Sequence, residues 1–308
     1  MRIVFMGTPD FAVPCLEKLV EMGEDVVGVF TQTDKPVGRK QILTPSEVKV
    51  CATERGIPVF QPKTLRNGEA LEILNKLKPD LIVVTAYGKI LPEEIINFPE
   101  HGCINIHASL LPKYRGAAPI QWSIINGETV TGVTSMQMDV GLDTGDIILQ
   151  SETEIGGNET AGELFDRLKV IGADVLEKTV NLIKNGELKR IKQDNEKATY
   201  VTQLDKSFSP VDFNKTATEI HNKVRGLNPW PAASFLLENT RFKLWETRVG
   251  GKTDKAPGTV IESNSRLIVA CSNGTSIELL TVQPEGKKRM SVSDYLRGHK
   301  ISKGTIMG

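Results

Sequence analysis

RIVFMGTPDF, residues 2–11, joins an apolar, β-prone run to a turn and to the start of a helix. Apolar residues continue at helical spacing through residue 20, and the run VVGVF at 26–30 is typical of a second buried strand. A strand, a helix and a strand in this order form the unit that opens a doubly wound α/β sheet. The glycine fingerprint of dinucleotide-binding proteins is missing, since Pro9 and Phe11 occupy its place, so we expect no nicotinamide cofactor.

The same alternation of strands and helices continues along the chain. Buried strands are predicted at 80–86, 103–107, 131–138 and 145–150, and helices at 69–77, 117–126 and 160–184. We therefore expect a first domain over residues 1–188, built on a mostly parallel sheet. Residues 189–205 are polar and weakly patterned, which indicates a linker.

After the linker the pattern changes to short β-prone runs. They lie at 242–247, 257–262, 266–271 and 276–283, and Gly and Asn turns separate them. This pattern is typical of a small barrel, so we predict an OB-like β-barrel domain over residues 206–308.

The charge of the chain sums to zero but is unevenly spread. Residues 1–200 hold 22 Lys and Arg against 28 Asp and Glu, whereas residues 201–308 hold 16 against 10. The positive excess in the second part indicates contact with a polyanion. Chance clustering of solvated charges is the alternative.

The cysteines Cys15, Cys51, Cys103 and Cys271 lie far apart and form no CxxC pair. We therefore expect neither a metal site nor a disulfide framework. The first residues lack the apolar run of a signal peptide, and no apolar stretch reaches about 18 residues. These features predict a cytoplasmic protein that does not enter a membrane.

Asn105 and His107 lie two residues apart on the predicted strand 103–107, so their side chains share one face. At the C-terminal end of a strand, where α/β sheets place their sites, an amide and an imidazole can donate to a developing oxyanion. The stretch MDVGLDTGD at 138–146 holds three aspartates, one of which could orient His107. From these residues alone, a hydrogen-bonded core histidine and a polar turn stay open as alternatives.

Three longer stretches together resemble the folate-dependent formyltransferases. They are FMGTPDF at 5–11, NIHASLLPKYRGAAPIQ at 105–121 and GVTSMQMDVGLDTGDI at 132–147, and LNPWP at 227–231 also fits. The resemblance covers essentially the whole chain, and it implies a Rossmann-like catalytic domain followed by an OB-like barrel. Within this family, the long RGAAPIQ run and the basic second domain resemble most closely the members that act on initiator methionyl-tRNA.

The resemblance also implies the co-substrate, the partner and the site residues. Asn105, His107 and Asp143 would form a catalytic trio, in a monomer that needs no metal. The donor, 10-formyltetrahydrofolate, would bind along Tyr87, Gly88, Ile90, Leu91, Ser109, Leu110, Leu111, Pro112, Met138, Asp139 and Val140. Initiator methionyl-tRNA, the acceptor, would contact Lys35, Arg39, Lys40, Lys287, Lys288 and Arg289.

A basic insertion at 31–49 follows the strand at 26–30. Pro36 and Gly38 favour a mobile loop over a helix. A plain surface connection is one interpretation. The resemblance instead implies a loop that reaches the acceptor stem of the tRNA, with Arg39 as its best contact.

Three other functions compete with this interpretation. A formyltransferase that acts on a ribonucleotide amine should lack the C-terminal barrel and the basic insertion, and one that acts on a sugar amine should carry a nucleotide-sugar motif. A nucleotide-binding α/β module joined to an RNA-binding barrel, without catalysis, would not depend on Asn105, His107 or Asp143.

Overall fold

The computed structural model describes residues 1–38, 40–238 and 240–308. The strands are β1 (Arg2–Gly7), β2 (Asp25–Phe30), β3 (Lys35–Val37), β4 (Ile42–Thr44), β5 (Val59–Phe60), β6 (Leu81–Thr85), β7 (Cys103–His107), β8 (Arg115–Gly116), β9 (Val130–Gln137), β10 (Ile147–Glu154), β11 (Tyr200–Val201), β12 (Ala233–Leu237), β13 (Thr240–Val249), β14 (Val260–Glu262), β15 (Leu267–Ala270), β16 (Ser276–Pro284) and β17 (Met290–Ser291). The helices are α1 (Val13–Glu21), α2 (Glu47–Glu54), α3 (Glu69–Leu77), α4 (Glu93–Ile96), α5 (Pro119–Ile125), α6 (Ala161–Lys184), α7 (Ala217–Gly226) and α8 (Val292–Gly298).

The chain divides into two compact units, each built from separate stretches of sequence. Unit 1 comprises Met1–Gly116, Thr131–Thr153 and Phe165–Tyr200. Unit 2 comprises Ala117–Val130, Glu154–Leu164 and Val201–Gly308.

Unit 1 is built on a sheet with the strand order β10-β9-β7-β6-β1-β2-β5. Strand β1 pairs in parallel with β2 and β6, β6 with β7, and β2 with β5, whereas β9 runs antiparallel to β7. The expectation of a mostly parallel sheet is confirmed. Residues 3–7 of β1 are buried, as an apolar strand at the centre of a sheet covered on both faces must be.

A glycine ends β1 because no side chain fits there. A Cβ on Gly7 would lie 2.7 Å from a ring carbon of Phe5 and 3.1 Å from the carbonyl oxygen of Thr85. Both distances are shorter than ordinary carbon contacts, so the turn between β1 and the following helix is open to glycine alone. A 3₁₀ turn at Asp10–Ala12 then leads into α1.

The insertion at 31–49 contains more regular structure than the sequence predicts. Its strands β3 and β4 form an antiparallel hairpin, and α2 begins at Glu47. Ser46 caps α2 by accepting a hydrogen bond from Lys49 N at 3.1 Å. Lys49 Nζ bonds both carboxylate oxygens of Asp34, at 2.9 and 2.8 Å, and so lowers the pKa of that carboxyl. Three-residue strands are too short to produce a periodic signal, and for this reason the hairpin was not predicted.

Unit 2 contains a curled antiparallel sheet, a half-barrel, in the order β12-β13-β16-β15-β14, and β17 pairs with β16. Apolar side chains from the inner face of this sheet and from α7 form its core. The predicted OB-like domain is confirmed at this level. Helix α7 begins with a capping box: Thr216 accepts from Glu219 N, and Glu219 accepts from Thr216 N.

Within the described ranges, the helices lack the combination of length and apolar character that a membrane span requires.

Candidate active site

Strand β7 carries Asn105 and His107 on one face. Asn105 lies opposite Val84 of β6 and Met136 of β9. His107, the last residue of the strand, lies opposite Thr134. Because side chains alternate along a strand, the carboxamide and the imidazole project from the same face of the sheet. His107 is buried and Asn105 half-buried, so the pair is partly shielded from water.

One hydrogen bond determines which ring nitrogen of His107 is available. Nε2 lies 2.9 Å from the carbonyl oxygen of Tyr114. Because a carbonyl oxygen can only accept, Nε2 carries a proton whenever this bond is made. Nδ1 faces Asp143, 3.7 Å from its Oδ2. Nδ1 is therefore the nitrogen that can gain or release a proton at this site.

Hydrogen bonds fix the shape of the loop at 138–146, between β9 and β10. Gln137 N donates to the carbonyl oxygen of Asp146 at 2.9 Å. Asp139 Oδ1 accepts from Gly141 N at 3.1 Å and from Thr144 Oγ1 at 2.6 Å. Asp139 and Asp146 thus shape the loop.

Asp143 extends from this loop to the end of β7. Its backbone is left-handed, with φ +53°. Its Oδ2 accepts from Gly116 N at 2.8 Å and lies 3.7 Å from His107 Nδ1. The side chains of His107 and Asp143 are 8% and 13% exposed. When the imidazole is protonated the two form an ion pair that solvent screens less than a surface pair.

The predicted folate signature, Ser109 to Pro112, follows β7 directly. Ser109 is fully buried, and its hydroxyl donates to the carbonyl oxygen of Lys113 at 2.7 Å. Leu111 packs in a small cluster with Met136 and Ile147. Leu110 and Pro112 are half-buried.

The other predicted folate residues lie on the segments after β6 and β9. Ile90 is 75% exposed and Val140 is 69% exposed. Tyr87 and Leu91 are buried, and their cluster also contacts Met138. Gly88 and Asp139 are exposed. These segments therefore leave apolar side chains uncovered near polar backbone.

The predicted tRNA contacts fall into two groups. Lys35 on β3 and Lys40 beyond it are exposed, whereas Arg39 lies outside the described residues. In unit 2, Lys287, Lys288 and Arg289 are exposed at the end of β16.

Two contacts could not be predicted from the sequence: a cation–π contact in unit 2 and a hydrogen bond from a side-chain amide in unit 1. The guanidinium carbon of Arg289 lies 3.6 Å from the ring centroid of Trp245, and Lys243 Nζ lies 5.7 Å from it. In unit 1, Gln193 bonds the Asp143 loop from the segment predicted to be a linker. The Arg289–Trp245 and Gln193–Asp143 contacts have no signal in sequence spacing, because each joins residues that are distant along the chain.

Neither a metal site nor a separate cleft involves the predicted catalytic residues in the described part of the chain. Across the described ranges, His, Cys, Asp and Glu side chains form no group of three or more that could hold a metal ion. A cleft of about 680 Å³ opens in unit 1, and its lining includes Glu17 of α1, Cys51 of α2 and Arg55, which follows α2. In the described part of the chain, none of the predicted catalytic residues lines this cleft.

Comparison with known protein families defines the class. A family model described as formyl transferase matches residues 1–180, and one described as formyl transferase, C-terminal domain, matches residues 203–300. The α/β sheet and the half-barrel correspond to these two parts. The fold and the family models together define a formyltransferase.

Full-length relatives identify the family more closely. A methionyl-tRNA formyltransferase of Alkaliphilus oremlandii is 51% identical over 309 residues, covering all of both chains. One of Clostridioides difficile is 48% identical over 309 residues, again covering all of both chains. The chain belongs to the methionyl-tRNA formyltransferase family, which makes it a transferase enzyme.

A solved structure has the same fold. The N-formyltransferase from Helicobacter canadensis, crystallised with folinic acid and dTDP-3-aminofucose, superimposes with a TM-score of 0.71. The match covers 90% of this chain and 98% of that chain, at 24% identity. At that identity the likeness extends to the fold.

Proposed function

We propose that the protein transfers the formyl group of 10-formyltetrahydrofolate to the α-amino group of methionine on initiator tRNA. The main support for this proposal is sequence similarity over the full chain: relatives named methionyl-tRNA formyltransferase are 51% and 48% identical to it. A sugar-amine or ribonucleotide acceptor is not favoured.

In this reaction a new C–N bond forms between the amine and the formyl carbon. The bond from that carbon to the folate nitrogen breaks, so the amine loses a proton and the folate nitrogen gains one. Negative charge develops on the formyl oxygen in between. Preorganised donors aimed at that oxygen lower the barrier most.

Asn105 and His107 are our candidates for these donors. In the described part of the chain, the Asn105 carboxamide has no hydrogen-bond partner, so both its N–H groups are available. Protonated His107 would donate from Nδ1, since its Nε2 is bonded to Tyr114. Asp143 would orient the imidazole, and would help to move the proton of the amine toward the folate nitrogen.

Folate would bind against the segments after β6, β7 and β9. The exposure of Ile90 and Val140 supports this, because a flat pterin ring would cover apolar side chains that now face water. Leu110 and Pro112 would add apolar contacts, and backbone groups around Gly88 would accept or donate hydrogen bonds. The buried residues Tyr87, Leu91, Ser109 and Leu111 would support these contacts from behind, together with Met138 and Asp139.

The tRNA would be bound by lysines and arginines of both units. Lys35, Arg39 and Lys40 belong to the insertion, and Lys287, Lys288 and Arg289 belong to the half-barrel. Such cations give affinity for phosphates with little sequence information.

The test is a formylation assay with initiator methionyl-tRNA and 10-formyltetrahydrofolate. Alanine at Asn105, His107 or Asp143 should each lower kcat on the order of 100-fold or more, since removal of one oxyanion donor has an effect of this size. His101→Ala, a histidine that precedes β7, is the matched control and should stay near wild type. Transfer to a sugar or ribonucleotide amine but not to methionyl-tRNA would overturn the acceptor, and unchanged rates in the three variants would overturn the trio.

A further inference from the structure

The segment predicted to be a linker lies directly against the Asp143 loop within unit 1. Ile191 forms a backbone bridge with Ile147, at the end of that loop, through hydrogen bonds of 2.8 and 2.9 Å. Two residues later, Gln193 is half-buried. This segment therefore does more than connect two parts of the chain.

The side-chain amide of Gln193 holds two carbonyl groups of the loop at once. Its Nε2 donates to the carbonyl oxygen of Asp143 at 2.8 Å and to that of Gly145 at 2.7 Å. The two carbonyls flank Thr144, and each takes one of the two N–H groups of the amide. The backbone on both sides of the turn is thereby fixed to one side chain.

A buried arginine determines the orientation of that amide. Gln193 Oε1 accepts from Arg115 Nε at 3.1 Å and from Arg115 Nη2 at 2.8 Å. Because a guanidinium can only donate, the amide oxygen must face Arg115 and the amide nitrogen must face the loop. Arg115 is 1% exposed and is held in turn by Asn195 Oδ1 at 2.8 Å and by Tyr200 OH at 2.9 Å. The charge is thus buried among hydrogen-bonded oxygens, as a buried ion requires.

Asp143 needs such a support because of its backbone conformation. A left-handed residue other than glycine persists only where its surroundings determine it. Gln193 holds its carbonyl oxygen, and the N–H of Gly116, next to Arg115 in the chain, holds its carboxylate. The two contacts direct Oδ2 to His107 Nδ1.

We propose that Gln193, oriented by Arg115, is a positioning residue that holds the Asp143 carboxylate on His107. This inference rests on the proposed catalytic roles of Asp143 and His107, and it assigns to the segment 191–200 a part in the reaction. Without the Gln193 amide, the turn at 143–145 relaxes and the Asp143 carboxylate moves away from His107. The surfaces proposed to bind folate and tRNA stay unchanged.

Three variants separate positioning from other roles. Gln193→Ala should lower kcat by about 10- to 100-fold with little change in KM for either substrate, since a displacement of about 1 Å has effects of this size. Gln193→Glu keeps an acceptor for Arg115 but loses both donors, so it should be impaired as strongly as Gln193→Ala. Gln203→Ala, at an exposed glutamine outside this segment, is the matched control, and its kcat should stay within about threefold of wild type. Circular dichroism and melting curves establish that each variant is folded.

A double-mutant cycle gives the decisive readout. In the Asp143→Ala background, Gln193→Ala should change kcat by less than about twofold, because the group that it positions is gone. Additive losses, wild-type activity of Gln193→Glu, or an equal loss in Gln203→Ala would overturn the inference. If Asp143→Ala is impaired and Gln193→Ala is not, this inference fails alone. If Asp143→Ala is fully active, the proposed trio fails and this inference fails with it.

Discussion

At the scale of single residues, Asp143 and Gly145 determine the geometry of the candidate site. Asp143 takes a left-handed conformation that its short polar side chain tolerates better than most. Gly145 passes so close to the end of β9 that a Cβ there would lie 1.7 Å from the carbonyl oxygen of Gln137. The D-x-G pattern at 143–145 therefore has a steric cause.

Gly145→Ala should displace the loop and inactivate the enzyme. The added methyl group overlaps the carbonyl group of Gln137 and would also lie 3.3 Å from Asp139 N, so it collides with the backbone that leaves β9. We expect a loss of kcat on the order of 100-fold from the displaced carboxylate, and a loss of about 1–3 kcal/mol in the free energy of unfolding. Steady-state kinetics and urea denaturation measure the two effects. Gly251→Ala, at a glycine whose Cβ meets open space, is the control, and equal behaviour of the two variants would contradict the steric argument.

At the scale of elements, the long strands and helices of unit 1 could be predicted, and short or packing-dependent ones could not. Helix α3 at Glu69–Leu77 and strand β7 at Cys103–His107 lie where their apolar patterns indicate. Helix α7 was not predicted, although its cap is local. Its face toward the half-barrel includes Ala217, Ile220 and Val224, and His221 lies beside them.

His221 on α7 should make unit 2 less stable in acid. Its ring bonds Thr247 Oγ1 at 2.9 Å and the carbonyl oxygen of Gly157 at 3.2 Å, and burial, with the charge of Arg225, lowers the pKa of this histidine. A group whose pKa is lower in the folded state binds fewer protons there than in the unfolded chain. The free energy of unfolding should therefore fall as the pH drops below about 6.5, the ordinary value for histidine.

Denaturant unfolding at pH 7.5 and 5.5 tests this expectation. His221→Gln removes the titrating group, so the variant should lose less stability over this range than wild type. His299→Gln, at an exposed histidine of the same unit, controls for the change of residue type. Equal losses in wild type and His221→Gln would contradict the assignment.

At the scale of the whole molecule, charge is divided between the two parts of the chain. The positive excess lies beyond residue 200. In this basic part, the Arg289 guanidinium stacks on the Trp245 ring in a cation–π contact, 3.6 Å from its centroid. Stacking limits the motion of the guanidinium, and its N–H groups at the edge can still donate to phosphate. This surface, Lys287, Lys288 and Arg289 with Trp245, is our candidate for the contact with the body of the tRNA.

Replacing Lys287, Lys288 and Arg289 together by alanine should weaken tRNA binding without affecting folate. We expect KM for tRNA to rise about tenfold or more at physiological salt, with KM for 10-formyltetrahydrofolate unchanged. The slope of log affinity against log salt should become shallower by about 2–3, since each lost phosphate contact removes somewhat less than one unit.

Three alanines at Lys252, Lys255 and Lys303 provide a control with the same change of net charge. If this control weakens binding equally, the effect belongs to overall charge rather than to the surface around Trp245. Filter binding or fluorescence titration at several salt concentrations measures both variants.

The sequence by itself determined what local patterns can encode. Apolar runs predicted the parallel sheet, the period of two in β7 placed Asn105 and His107 on one face, and the residues around them identified the family. Only the tertiary structure decided that Asp143 lies 3.7 Å from His107 Nδ1, that Tyr114 holds Nε2, and that Gln193 and Arg115 support the loop. The reason is physical: strands and helices follow from short-range periodicity, whereas these contacts join residues up to 78 positions apart and exist only when the chain packs.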